Sequence, residues 1–229
     1  MTQIRFQNIQ IYKTIFILLG AFILYGSTLF GVETLAVEFG VVKYNEGFID
    51  YTKFDKASVL KSADEHFNKA LEVDGEERKL FLQQAGGEYF VLNKLEPNNL
   101  YPIVQMARIY DFEHKNSYAK AYFYQALDIN KTDAYTNYHF GEFYYTRNDY
   151  KKALDYYNIA FKNGYKENYD VLIKMAVMYE KLGDLLRANQ YYKKAYLVKP
   201  DNTELPDKIR ALEDLKYKNT GYYNRRRKK

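Results

Sequence analysis

The sequence contains no cysteine, no tryptophan and only three histidines. Without cysteine there is no disulfide scaffold, no thiolate zinc site, no cysteine nucleophile and no lipidated N-terminal cysteine. His66, His114 and His139 stand far apart, with no second histidine or carboxylate at ligand spacing, so they read as surface or rim residues. A Gly-rich phosphate loop and a nucleophile motif are also missing. The acidic pairs Asp64/Glu65 and Glu76/Glu77 are sequence neighbours, which on a helix point about 100° apart, as on a solvated face. The chain therefore reads as a non-enzyme that needs no cofactor, metal or small-molecule substrate.

What the chain has in excess is tyrosine. Its 229 residues are 47% apolar, yet the mean hydropathy is −0.54, because 26 Tyr and 15 Phe supply much of the apolar count. A core built on such rings suits helices whose phenols reach a rim or a hydrogen-bond partner. The length allows one or two globular units.

The net charge of +5 is unevenly spread. Residues 218–229 carry six cations and no acid, and residues 1–32 carry two cations and no acid, which leaves the body between them at −3. A nucleic-acid partner for the whole body is therefore disfavoured.

After a short basic segment, 1–13, residues 14–32 form a run without a charge. As a helix it would span roughly 28 Å, close to the roughly 30 Å of a bilayer core. This predicts a transmembrane anchor or a signal segment. The best cleavage candidate, Thr34-Leu35-Ala36, comes late and after Glu33, which favours a retained anchor. Arg5 and Lys13 outweigh Lys43 on the far side, so the N-terminus should stay cytoplasmic and the bulk of the chain should cross to the periplasmic, lumenal or extracellular side. Residues 33–57 show no sustained period and read as a helical or partly helical stalk.

From residue 58 a repeat emerges. Counting from Leu100, Ala134 and Tyr169, position 8 is Ala107, Gly141 and Ala176, and position 11 is Tyr110, Tyr144 and Tyr179. Position 20 is Ala119, Ala153 and Ala188, position 24 is Phe123, Tyr157 and Tyr192, and position 27 is Ala126, Ala160 and Ala195. Small residues at 8, 20 and 27 let two helices approach closely while the rings at 11 and 24 fill the holes between them. Met106, Phe140 and Met175 at position 7 complete the apolar layer, and the turns Asn148-Asp149 and Gly183-Asp184 fall at matching places. Upstream, Ala63, Phe67 and Ala70 and then Ala85, Tyr89 and Leu92 repeat the spacing more loosely.

These residues resemble the tetratricopeptide repeat family, whose 34-residue helix–turn–helix repeats carry this pattern. The resemblance covers residues 100–202. It departs at position 4, where the family often has Trp and this chain has Ile103, Asn137 and Leu172, and at position 32, where only Pro200 matches. The fold class it implies is an all-α solenoid of such repeats behind a single N-terminal transmembrane helix. Its parts would be a degenerate first repeat at 58–99, repeats at 100–133, 134–168 and 169–202, a capping helix at 203–217 and a basic disordered tail at 218–229.

The resemblance further implies a concave groove lined by the first helix of each repeat, helix A, at positions 2, 5, 9, 12 and 13. In this sequence those are Tyr101, Val104, Arg108, Asp111 and Phe112; Tyr135, Tyr138, Glu142, Tyr145 and Thr146; and Asp170, Ile173, Val177, Glu180 and Lys181. Rings with polar tips suit capture of a protein or peptide partner, so an adaptor or assembly scaffold is the expected function. Some members of the family grip a chaperone's C-terminal carboxylate with several basic and amide groups; Arg108 stands alone here, which argues against that mode. The tail offers a second reading. Arg225, Arg226, Arg227, Lys228 and Lys229 could meet an anionic surface, nucleic acid or an acidic partner.

Overall fold

The structure, a computed structural model, describes residues 51–226, with side chains described through residue 215. Segments 1–13 and 14–32, most of the expected stalk, and Arg227, Lys228 and Lys229 lie outside the described residues. The described residues form nine α-helices, one short 3-10 turn and no strand. None of these helices is long and apolar enough to cross a membrane.

Two compact units divide the chain, one ending at Lys115 and the other beginning at Asn116. The first holds α1 (Lys56–Glu72), α2 (Gly75–Leu95) and α3 (Leu100–Phe112). The second holds α4 (Asn116–Ile129), α5 (Ala134–Tyr145), α6 (Tyr150–Lys162), α7 (Tyr169–Lys181), α8 (Leu185–Val198) and α9 (Leu205–Arg226). In the first, α1 pairs with α2 and α2 with α3; in the second, each helix packs on the next along the chain.

The helix ends follow the repeat. Asn99, Asp133 and Asn168, each one residue before a repeat begins, accept backbone N–H groups of Tyr101, Thr136 and Val171 at 3.1, 2.7 and 3.0 Å. At position 15 of each repeat His114, Asn148 and Gly183 take left-handed φ values of 58°, 59° and 81°. The following N–H then reaches back to the position 11 carbonyl: Lys115 to Tyr110, Asp149 to Tyr144 and Asp184 to Tyr179, at 2.8, 3.1 and 2.9 Å. This Schellman closure satisfies carbonyls that a helix end otherwise leaves unpaired. Asn and Gly at position 15 mark the turn in the sequence, whereas His114 adopts it without so clear a signal.

In the second unit the small residues lie inside. Ala119, Ala126, Ala153, Ala160, Ala176, Ala188 and Ala195 are all fully buried. A Cβ added at Gly141 would meet Cδ2 of Tyr157 at 2.9 Å, closer than atoms in contact sit, so position 8 must be small where position 24 is aromatic. Phe123 stacks on Phe140 with centroids 4.7 Å apart, and Phe140 meets Tyr156 at 4.4 Å. Tyr157 is fully buried, and among the described residues its hydroxyl has no hydrogen-bond partner. Its ring is held at the Gly141 notch, and the hydroxyl goes where the ring takes it. Leu205 and Leu212 of α9 lie on Leu172, Ala176, Ala188, Tyr192 and Ala195, covering the apolar edge of the last hairpin.

The first unit repeats the device in longer helices. Ala63, Phe67, Ala70, Ala85, Tyr89 and Leu92 are buried. The last part of the expected stalk packs onto this unit. Residues Tyr51–Lys53 form the 3-10 turn, the Tyr51 ring meets Phe90 at 6.4 Å, and Phe54 is buried. Asp55 caps α1 by accepting the Ser58 N–H at 3.0 Å, so the helix begins at Lys56. A buried ring beside a good N-cap sufficed where the sequence shows no period.

The C-terminal expectation is also corrected. α9 does not stop at residue 217 but runs through Arg226, so much of the expected disordered tail is helical. No proline follows Pro206, and cations near a helix C-terminus complement its dipole.

Candidate functional site

On α3 of the first unit, the predicted groove residues are already occupied from within. The Tyr101 hydroxyl donates to Asp64 on α1 at 2.8 Å, the Arg108 guanidinium lies 4.6 Å from the Phe67 ring, and Phe67 meets the Phe112 ring edge-on at 6.0 Å. Side chains of α1 thus reach across this face. Val104, between Tyr101 and Arg108 on the same face, is fully buried and belongs to the core, which removes it from the groove set. Phe112 keeps 42% of its surface exposed.

A polar chain runs through these residues. Tyr89 and Tyr101 both donate to Asp64 Oδ1, at 2.6 and 2.8 Å, Gln105 Nε2 donates to the Tyr101 hydroxyl at 2.8 Å, and Arg108 Nη1 donates to Gln105 Oε1 at 2.7 Å. Burial, reinforced by the Asp64 carboxylate, pushes the Tyr89 phenol far above its ordinary range. Asp64, read from the sequence as solvated, is the acceptor that anchors α2 and α3 to α1.

His66 lies at the rim, its side chain 23% exposed. Its Nδ1 lies 2.9 Å from Oε2 of Glu88, a carboxylate only 1% exposed that also accepts the Ser62 hydroxyl at 2.6 Å. Glu88 sits on α2, 22 residues away, so no local spacing could have paired it with His66. Among the described residues no group of three or more potential metal ligands is brought together.

The second unit keeps more of its predicted face accessible. Tyr135, Tyr138, Glu142 and Tyr145 on α5 are all partly exposed, while Thr136, Asn137, Phe140, Gly141, Phe143 and Tyr144 of the same helix are buried. Ile173 and Val177 of α7 are half-buried against the last hairpin's core. Tyr138 is held edge-on to Tyr157 at 5.8 Å and stacked on Tyr165 at 5.4 Å. Burial raises its phenol above the ordinary range, and the Glu142 charge adds to this. The sequence reading missed Lys174 at position 6 of α7, which forms an ion pair with Glu142.

At the end of this face Glu180 accepts from Lys208 Nζ at 2.8 Å and the Tyr192 hydroxyl at 3.0 Å, joining α7, α8 and α9. Burial would raise the Glu180 carboxyl, but these two hydrogen bonds and the Lys208 charge outweigh it and hold the carboxyl below the ordinary range. The folded state then binds this proton less tightly than the unfolded chain does. The contact therefore adds stability above the ordinary glutamate value of about 4.3, which drains away as pH falls through the lower folded value. Between pH 6 and pH 3 the Tm of the wild type should fall more steeply than that of Glu180→Gln; parallel Tm profiles in a pH series of thermal melts would refute the contribution.

No family model and no curated protein matches this sequence. Solved structures do. The Pseudomonas aeruginosa PilF structure is 17% identical, covers 74% of this chain and 74% of its own, and superimposes with a TM-score of 0.54. PilW, described as a widely conserved type IV pilus biogenesis factor, is 22% identical over 67% of this chain and 69% of its own, with a TM-score of 0.51. MamA is 19% identical over 63% of this chain and 85% of its own, also with a TM-score of 0.51. At such identities the likeness speaks to fold, and together with the buried repeat positions it shows this chain to have the all-α, helix–turn–helix fold of tetratricopeptide repeat proteins.

Proposed function

We infer that this protein is a non-catalytic adaptor that holds a protein or peptide partner against its helix-A faces and serves the assembly of a membrane-associated complex. The observation that carries this reading is the α5 face. There Tyr135, Tyr138, Glu142 and Tyr145 stay partly exposed although neighbouring residues of the same helix supply the core. Rings with polar tips give a partner large contact area at small entropic cost. The likeness to PilW, itself described as a biogenesis factor, supports an assembly role.

Membrane attachment through residues 14–32 is part of the same reading and is supported by the charge-free run and its basic flank. The N-terminus would be cytoplasmic and the repeats on the opposite side. Anchoring raises the effective concentration of the helix-A faces at the membrane, so a weak affinity for a segment of another membrane protein would suffice.

Affinity capture from native membranes by the intact protein, followed by mass spectrometry, tests the adaptor reading. Replacing both Tyr138 and Tyr145 with Ala should cut recovery of the specific partner about tenfold or more while leaving helicity unchanged. Deletion of residues 218–229 should leave it intact. Equal recovery with the double variant would remove the α5 face from the account, and loss with the deletion alone would transfer binding to the basic tail.

A further inference from the structure

The α5 face contains a cage that is already filled. Tyr138, Glu142 and Tyr145 stand at i, i+4 and i+7, so one helix presents two rings and a carboxylate on one face. Lys174 reaches from α7 to pair with Glu142, and its ammonium lies 5.5 Å from the centre of the Tyr138 ring and 5.9 Å from that of Tyr145. Both distances lie within the range of cation–π attraction.

The Tyr138 wall does not depend on the lysine. Tyr165 stacks on Tyr138 with the ring planes 4° apart, and the fully buried Tyr157 meets it edge-on, so the ring is fixed by neighbours outside the cage. The occupant is less confined. The Lys174 and Glu142 side chains retain 26% and 27% of their exposure, and a lysine stem can swing into water where its ammonium is well hydrated. Burial opposes the charge on Lys174, yet the hydrogen bond and charge of Glu142 raise its pKa overall, so the site favours a cation.

We propose that the Tyr138–Glu142–Tyr145 cage is a cation-recognition subsite of the partner face, filled by Lys174 in the free protein and taken over by an arginine side chain of the partner. This rests on the reading of the α5 face as the partner site. Exchange conserves charge at Glu142. Arginine gains where lysine does not, because a planar guanidinium stacks on a tyrosine ring while offering a carboxylate two parallel N–H groups. Lys174 then acts as an internal competitor, and the affinity for an arginine ligand is lowered by the fraction of time the cage is occupied.

The test uses the full-length protein in detergent micelles with its tyrosine rings carbon-13 labelled. N-acetyl-arginine amide is the probe, with uncharged N-acetyl-citrulline amide as control. Removing the lysine should strengthen binding: Lys174→Met is expected to bind the arginine probe about tenfold more tightly than wild type, with shifts in the Tyr138 and Tyr145 ring resonances. Lys174→Met combined with Glu142→Gln should lose that gain, and the citrulline probe should bind neither protein. Should Lys174→Met fail to fold, Lys174→Gln gives the same reading. Probe affinity unchanged or weakened on removal of the lysine, or a gain that survives Glu142→Gln, would overturn the proposal. Such a result would leave partner capture through Tyr138 and Tyr145 untouched, since the double-alanine capture experiment decides that separately.

Discussion

Phe123→Ala is expected to destabilise the second unit by about 3–5 kcal/mol, the range for emptying an aromatic site in a packed core. Phe123 is 1% exposed, stacks on Phe140 at 4.7 Å and meets Phe143 edge-on at 6.0 Å. Its removal takes the knob from between α4 and α5 and leaves the fully buried Phe140 and Phe143 facing a void. Collapse into the gap is limited, because Phe140 is also held against Tyr156 at 4.4 Å and Phe143 lies 3.7 Å from the Arg147 guanidinium. A fragment beginning at Tyr51 should melt about 6 °C or more below the same fragment with Phe123 intact. A fall of less than about 1 kcal/mol by chemical denaturation would mean that the ring is dispensable, at odds with the cavity cost.

Ala153→Phe tests the complementary part. Ala153 has no exposure, sits where α6 approaches its neighbours, and occupies the same repeat position as the equally buried Ala119 and Ala188. A ring placed there would need room on the helix face shared with Tyr156, three residues on, whose own ring is packed against Phe140 and Tyr144 at 4.4 and 5.6 Å between centroids. Overpacking of this kind costs about 1–3 kcal/mol and more when no void can absorb the volume. Loss of the cooperative melt of the second unit is the outcome to look for by circular dichroism. A melt identical to wild type would show that position 20 is not the contact it is taken to be. Ala153→Gly supplies the contrast: it adds no volume, and its cost of about 2 kcal/mol combines glycine within a helix with the loss of one buried methyl.

The repeat was legible because its signals are local. Alanines at positions 20 and 27, rings at 24 and the turn residues at 15 lie within one hairpin, and each acts through helix spacing or backbone conformation, both of which a sequence displays. All six alanines at positions 20 and 27 are buried. The candidate face was legible only in part. Tyr135, Tyr138, Glu142 and Tyr145 are partly exposed on α5, but Val104 at an equivalent position is enclosed because α1 reaches Tyr101, Arg108 and Phe112 around it. The family pattern supplies positions for a regular array, and α1 departs from that array in length and register.

By itself the sequence determined the helical repeat, the notches and knobs that hold the hairpins of the second unit, and the absence of any motif for catalysis. Tertiary structure alone decided that Glu88 meets His66, that Asp64 receives two phenols, and that Lys174 fills the space between Tyr138 and Tyr145. The division has one cause. Periodicity assigns a residue to a face of its own helix, whereas the meeting of long polar side chains from different helices depends on how far those helices are rotated and shifted against each other, and that is fixed only when the cores pack.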